Sequence, residues 1–369
     1  MLLLLGLGWY LYRKIRQRRL AKTPQQHDTL EKNNATFSED AYYQIEPLAD
    51  FNLEGTEPLK IRPFKPKYHL TMALENTTIS DLVAMDNTYL TRIQLRSQLI
   101  KDRPSDVLAA NPIVGPSVHE FYTWMTSTYL PRRFPTIFKL LQSPGPSPRS
   151  SLQNLVTNEM LPTFALSTEE ALRLLGSNVD DDFLFLLPSS DPADEGKYRL
   201  EGFVTCFPSG FNTPKKLNLK LADIHGPVPG YRAKIEKSMD RFFASLPVGK
   251  IVQRVNWSVT TNTDLFCLAG NHLTEEQANE RKDAELEQTD IEKTVLRCER
   301  QTLHRLPLTK ALVFAFKTYQ YPIKMLKDEG SAEELAQAID GLGLGSVPGM
   351  TVYKRQVIWG KKVKEYLRS

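Results

Sequence analysis

Three short stretches hold residues whose types and spacing could do chemistry. In "KLNLKLADIHGPVPGY", residues 216–231, polar Lys216, Asn218 and Lys220 alternate with Leu217, Leu219 and Leu221 before His225 enters a Gly-Pro-Val-Pro-Gly turn. Pro227 and Pro229 remove backbone donors and fix φ, while Gly226 and Gly230 let another group approach closely. Such a turn holds an imidazole in one direction, as metal ligation requires; a histidine that caps a strand end by hydrogen bonding would sit there equally well. In "RCERQTLHRLP" an extended backbone turns Arg297, Glu299 and Gln301 one way and Cys298, Arg300 and Thr302 the other. A strand with charge on both faces cannot bury either face without partners. One face is therefore expected to line a polar site, where Arg300 and Arg305 could hold carboxylates and Glu299 could orient a cationic amine or accept a proton. A structural Arg–Glu lattice would satisfy the same pattern. In "VQRVNWSV", Arg254 and Asn256 share one face, and Val255, Trp257 and Val259 share the other.

The usual enzyme signatures do not occur: there is no HExxH, GxSxG, P-loop or paired Cys–His spacing. "DGLGLGS" at 340–346 is not GxGxxG and follows a helix-like run instead of a strand, so a helix C-cap and loop suit it better than a dinucleotide site.

The elements that must position these residues are mostly strands. "DDFLFLLP" (181–188), "RLEGFVTCFP" (199–208), "GKIVQRVNWSVT" (249–260), "DLFCLAG" (264–270), "TVLRCERQTLHRLP" (294–307) and "ALVFAFKTYQYP" (311–322) are short and rich in β-branched and aromatic residues. "YRAKIEKSMDRFFASLP" is expected as a helix between the second and third of them, and "EEQANERKDAELEQ" as a charged, solvated excursion. Earlier, Leu82, Met85, Tyr89, Leu90 and Ile93 recur at helical spacing, "PSVHEFYTWMTSTYL" is a second helix, and "SPGPSPRSS" at 143–151 is an exposed loop. Helices before and after a run of strands predict an α+β fold with an antiparallel sheet of five or six strands and a helical N-terminal part.

Composition narrows the function classes. The chain has 369 residues, 41% hydrophobic and 24% charged, long enough to bury a large core. Six of the positive charges behind its net +4 lie within the first 22 residues, and the remaining body has no basic excess or stripe, which argues against a nucleic-acid partner. Cys206, Cys267 and Cys298 show no close spacing and are read as reduced thiols. "MLLLLGLGWYLYRKIRQRR" places its positive charge after the apolar run, opposite to a cleaved signal peptide. Residues 1–19 are read as a short membrane anchor with the globular body facing the cytosol; a frayed leader is the alternative. Residues 20–59 are polar and read as a mobile linker.

The three stretches, in this order and with "MDNTYLTRIQLRSQLI" and "DDFLFLLP" before them, closely resemble the haem-dependent oxidative N-demethylase family, specifically its haem-binding α-subunit-like domain. The resemblance covers roughly residues 60–325 and leaves 326–369 as a C-terminal helical extension. It implies a PAS-like antiparallel sheet with helices that holds haem b and uses dioxygen to demethylate a small amine such as dimethylamine, giving formaldehyde and a primary amine. It implies His225 as the axial ligand, with His304 as the fallback. It also implies Arg254 and Arg305 at the cofactor, Arg300 in site electrostatics, and Glu299 in handling the substrate amine or a proton. Family enzymes draw electrons through flavin and iron–sulfur partners. This chain has neither a four-cysteine cluster nor a dinucleotide fingerprint, so a separate reductase is expected. A non-catalytic haem-binding sensor and a haem-free, membrane-tethered interaction module are the rival readings.

Overall fold

Period-two alternation over 251–322 makes three long strands, and the short turn at 306–311 forces the last two to run antiparallel. The computed structural model describes residues 38–142, 150–164, 167–274, 276–278 and 289–369. Its strands are β1 (Glu75–Thr77), β2 (Leu108–Ala110), β3 (Phe138–Gln142), β4 (Ser150–Asn154), β5 (Met160–Pro162), β6 (Asp182–Pro188), β7 (Tyr198–Val204), β8 (Ile251–Thr260), β9 (Val295–Arg305) and β10 (Leu312–Pro322). Seven form one antiparallel sheet in the order β1-β8-β9-β10-β6-β7-β2, and β3-β4-β5 form a small second sheet. The β9–β10 turn is pinned by Glu120, whose carboxylate accepts from the backbone N–H groups of Leu308 and Thr309, both at 2.7 Å.

Among the described residues six longer helices cover the large sheet: α1 (Tyr89–Asp102), α2 (Gly115–Trp124), α3 (Thr168–Asn178), α4 (Glu236–Ser245), α5 (Ala332–Leu344) and α6 (Gln356–Arg368). Helix α3 begins where theory puts it: the Ser167 hydroxyl accepts from Glu170 N–H, and Glu169 and Glu170 occupy the positive first turn. On one sheet face Ile251, Phe183, Phe185, Val313 and Ala315 share a core with α1, α2 and α3. Farther along that face Trp257, Leu296, Cys298 and Tyr319 pack on α5 and α6. The opposite face presents Val252, Leu303 and Leu312 to Met239 and Phe243 of α4.

The α1 face also buries charge, much of it in ion pairs. Arg96 holds Asp182 at 2.7 Å and donates to the Gly176 and Asp181 carbonyls, while Asp182 also accepts from the backbone N–H groups of Cys206 (2.8 Å) and Phe207 (2.9 Å). Lys317 bridges Asp86 at 2.8 Å and Asp180 at 3.2 Å. These pairs tie α1 and α3 to the sheet.

Five of the six expected strand segments form strands, but 264–270 does not. Its backbone is claimed by a side chain instead: Arg297 donates to the carbonyls of Asp264 (2.9 Å) and Leu265 (3.1 Å), leaving them unavailable to a ladder. The short edge strands β1 and β2 and the whole small sheet carry too little alternation to be read from sequence. Of the stretch expected as a polar linker, the described part packs: Tyr42 and Ile45 belong to the α1 core. The anchor expected over 1–19 and most of the loop at 143–151 lie outside the described residues, as does nearly all of the charged excursion. Among the described residues no helix is long and apolar enough to cross a membrane.

Removing one member of the buried Arg96–Asp182 pair strands the other in the core. Arg96→Met is expected to lower unfolding free energy by about 3–5 kcal/mol, measured by urea titration at pH 7; a loss below about 1 kcal/mol would show the pair is not structural.

Candidate functional site

The antiparallel register decides which side chains meet on the α4 face. Arg254 pairs with Gln301 and Asn256 with Glu299 across β8 and β9, and Gln301 pairs with Phe316 across β9 and β10, so all five point the same way. With Phe314 they line a cavity of about 260 Å³. Its other walls include the 221–231 turn, Met239 and Phe243 of α4, the C-terminal segment 350–354, Tyr68 and His272.

His225 ends the helical turn Leu221–Ile224 and keeps Nδ1 2.8 Å from the Leu221 carbonyl. A carbonyl only accepts, so Nδ1 carries the proton and Nε2 keeps its lone pair. The ring stacks on Tyr231, with centroids 4.8 Å apart and planes 10° off parallel. Burial pushes its pKa down to about 4, so the imidazole is neutral at neutral pH. A neutral, oriented imidazole is what a metal needs. Among the described residues no group of three His, Cys, Asp or Glu could hold a bare ion. A single imidazole suits a metal whose remaining ligands come with it.

Glu299 is the acidic group of the cavity floor. Its Oε2 accepts from Gln301 Nε2 at 2.9 Å and from Asn256 Nδ2 at 3.4 Å, which leaves Oε1 for another donor. Asn256 is turned this way because its Oδ1 accepts from Lys354 Nζ at 3.3 Å. Lys354 also donates to the Trp257 carbonyl, and burial, then the nearby Arg254 cation, push its pKa down to about 8. Arg254 Nε is buried without a hydrogen-bond partner. A guanidinium in that state suits a carboxylate brought by a ligand.

Of the candidates read from sequence, the structure thus brings His225, Arg254 and Glu299 to one cavity and sends the others elsewhere. Arg300 lies on the opposite face of β9 and donates to the carbonyls of Asp81 and Leu82, so it belongs to the structural lattice. Arg305 spends its guanidinium on the Phe243, Ala244 and Leu246 carbonyls at the end of α4, on the Lys310 carbonyl and on the Tyr198 hydroxyl. It fixes the helix over the cavity without entering it. His304 pairs with Val313 on the α1 face, among Tyr42 (5.7 Å between centroids), Phe121 (5.8 Å) and Trp124 (6.5 Å). Neither of its ring nitrogens has a hydrogen-bond partner.

Sequence reasoning put Asn256 and Gln301 on the right faces without giving them a role, and it missed Tyr68, His272, Tyr353 and Lys354. The signal for the C-terminal contribution lay in the glycines of "DGLGLGS". Gly345 caps α5, and a Cβ there or on Gly341 would strike the backbone of Tyr68 or Pro66. The crossing is sealed by Tyr68 N–H to the Gly341 carbonyl and Ser346 N–H to the Tyr68 carbonyl, both at 3.0 Å. Glycine is needed because two backbones touch, and that contact carries Tyr68 and the 350–354 segment to the cavity.

A family model described as haem-dependent oxidative N-demethylase, alpha subunit-like, matches residues 73–364. The match runs from just before β1 into α6 and takes in the segment that supplies Tyr353 and Lys354.

One buried histidine, His304, and two half-buried ones, His225 and His272, give the fold a defined acid response. His225, His272 and His304 are pushed down to about 4, 4 and 3 by burial, below the ordinary value near 6.5. Between about pH 6.5 and 4 these histidines bind protons in the unfolded chain that they refuse in the folded one, and their contribution to stability falls as pH falls. Asp181, held protonated up to about 8 by burial, works in the other direction over about 4–8, as do Asp182 and Asp240, whose pKa values burial also raises. His304→Phe is expected to remove one proton from this slope and, by deleting two unpartnered nitrogens, to add about 1 kcal/mol at pH 7. Urea midpoints from pH 4 to 7 measure both; an unchanged slope would contradict the assignment.

Proposed function

The chain belongs to the haem-dependent oxidative N-demethylase, alpha subunit-like family, and on that premise we propose that it oxidatively removes a methyl group from a small N-methylated amine of the dimethylamine type. The products would be formaldehyde and a primary amine, with haem b as the cofactor and a separate flavin and iron–sulfur protein as the electron donor. The antiparallel sheet with its helical cover would serve as the PAS-like frame. The observation that carries the reading is that His225, Arg254 and Glu299, far apart in sequence, line one cavity.

These residues fit the group. His225 Nε2 would ligate the iron, fixed by the Nδ1 bond to Leu221, and the unpartnered Arg254 Nε would meet a carboxylate substituent. Bound haem supplies the activation of dioxygen. The chain's own part is to bind and orient. Glu299 Oε1 would accept an N–H of the protonated amine while Gln301 and Asn256 hold Oε2. The aromatic rings of Phe314 and Phe316 would exclude water around the methyl groups. A carboxylate rather than a neutral acceptor is used because the substrate arrives as a cation, and the ion pair would form in a partly enclosed site, where it is stronger than in water.

Formaldehyde released from a panel of methylated amines, with a chemical reductant in place of the missing electron donor, tests the reading. Glu299→Gln is expected to lower kcat/KM by about 100-fold, the loss of roughly 3 kcal/mol of charge pairing. Haem-loaded protein that releases no formaldehyde from any amine would leave a haem sensor as the better description.

A further inference from the structure

Lys354 follows the helical turn Met350–Tyr353, lines the cavity and is 4% exposed. Its Nζ lies over the rings of Tyr68 and Trp257, 5.4 and 5.2 Å from their centroids. It donates to two acceptors, Asn256 Oδ1 and the Trp257 carbonyl. The rings and both acceptors suit an ammonium; a neutral amine has two N–H groups, so it can keep both hydrogen bonds while its lone pair turns away from them. Burial and the Arg254 cation favour the neutral form, against Glu299 and Cys298, which favour the charged one, and the balance puts the pKa near 8. Desolvation beside a second cation is the setting in which lysines become nucleophiles toward carbonyl carbon.

We propose that Lys354 is a nucleophilic lysine that condenses reversibly with a small aldehyde inside the cavity. The Nζ lone pair forms a bond to the carbonyl carbon, the carbonyl π pair moves to oxygen, and that oxygen takes up the proton lost from nitrogen. The carbinolamine then expels water, its second N–H proton leaving with the departing hydroxyl, and a C=N bond remains. Amine plus aldehyde gives imine plus water, with no oxidant or reductant consumed. Formaldehyde made in the same cavity would be held as the imine and released by hydrolysis; only this identification of the aldehyde rests on the proposed demethylation.

The test uses the full-length protein at pH 7 with one equivalent of deuterated formaldehyde and cyanoborohydride, whose hydride reduces the imine to a labelled N-methyl group that mass spectrometry locates. A pKa near 8 leaves about a tenth of the amine neutral at this pH, against under about one part in a thousand for an ordinary lysine. Label on Lys354 is expected to exceed label on Lys293, whose side chain is 74% exposed, by about tenfold or more. The preference should vanish in urea, and Lys354→Arg should lose label at that position alone. Equal or weaker labelling of Lys354 overturns the proposal. If Lys354→Arg does not fold, the comparison of the two lysines within wild-type protein still decides. Because the aldehyde is added, amine demethylation without Lys354 labelling would sink this proposal alone, and labelling without demethylation would sink only the other.

Discussion

A charge on each face of a strand in the middle of a buried sheet is the constraint on which the rest of this structure depends. Strand β9 carries Arg300 toward α1 and Glu299 toward α4, and neither can be desolvated without a partner. On the α1 face the demand is met in full by carbonyls and by the neighbouring ion pairs of Lys317 and Arg96. On the α4 face it is met only in part. Two amides hold one oxygen of Glu299, and Arg254 is left with an unpartnered Nε. The first face is finished as structure, and the second keeps bonding capacity for a ligand.

That unfinished face is enclosed by segments from both ends of the described chain. Arg305 anchors α4 over it from the end of β9, and the glycine crossing at 341–346 carries Tyr68 and the 350–354 segment to its edge. Lys354 then turns Asn256 so that its amide donates to Glu299. The orientation of the Glu299 carboxylate thus depends on a lysine some fifty residues farther along the chain.

Much of this could be read from residue order. Period-two alternation placed Arg254 with Asn256 and Glu299 with Gln301 on shared faces, because strand geometry allows nothing else. Which of the two faces of β9 holds the site could not be read, because both carry charge and only the register with β8 and β10 separates lattice from cavity. For that reason Arg300 looked equivalent to Glu299. Arg305 misled for a related reason: a guanidinium suits a helix C-terminus as well as it suits a carboxylate. His304 shows the limit for histidine, since its type says nothing of whether its strand turns it to a cavity or to Trp124 and Phe121. Lys354 was invisible because no local pattern announces that a lysine will be buried by contacts made nearly 300 residues away, at Tyr68.

Whether the cavity holds haem through His225 is read most directly from the absorption spectrum of full-length protein purified from haem-replete cells, oxidised and reduced. The expected result is a Soret band that His225→Ala abolishes or shifts and that His304→Phe leaves in place. Wild-type protein without haem absorbance, or a spectrum that His225→Ala does not alter, would contradict it.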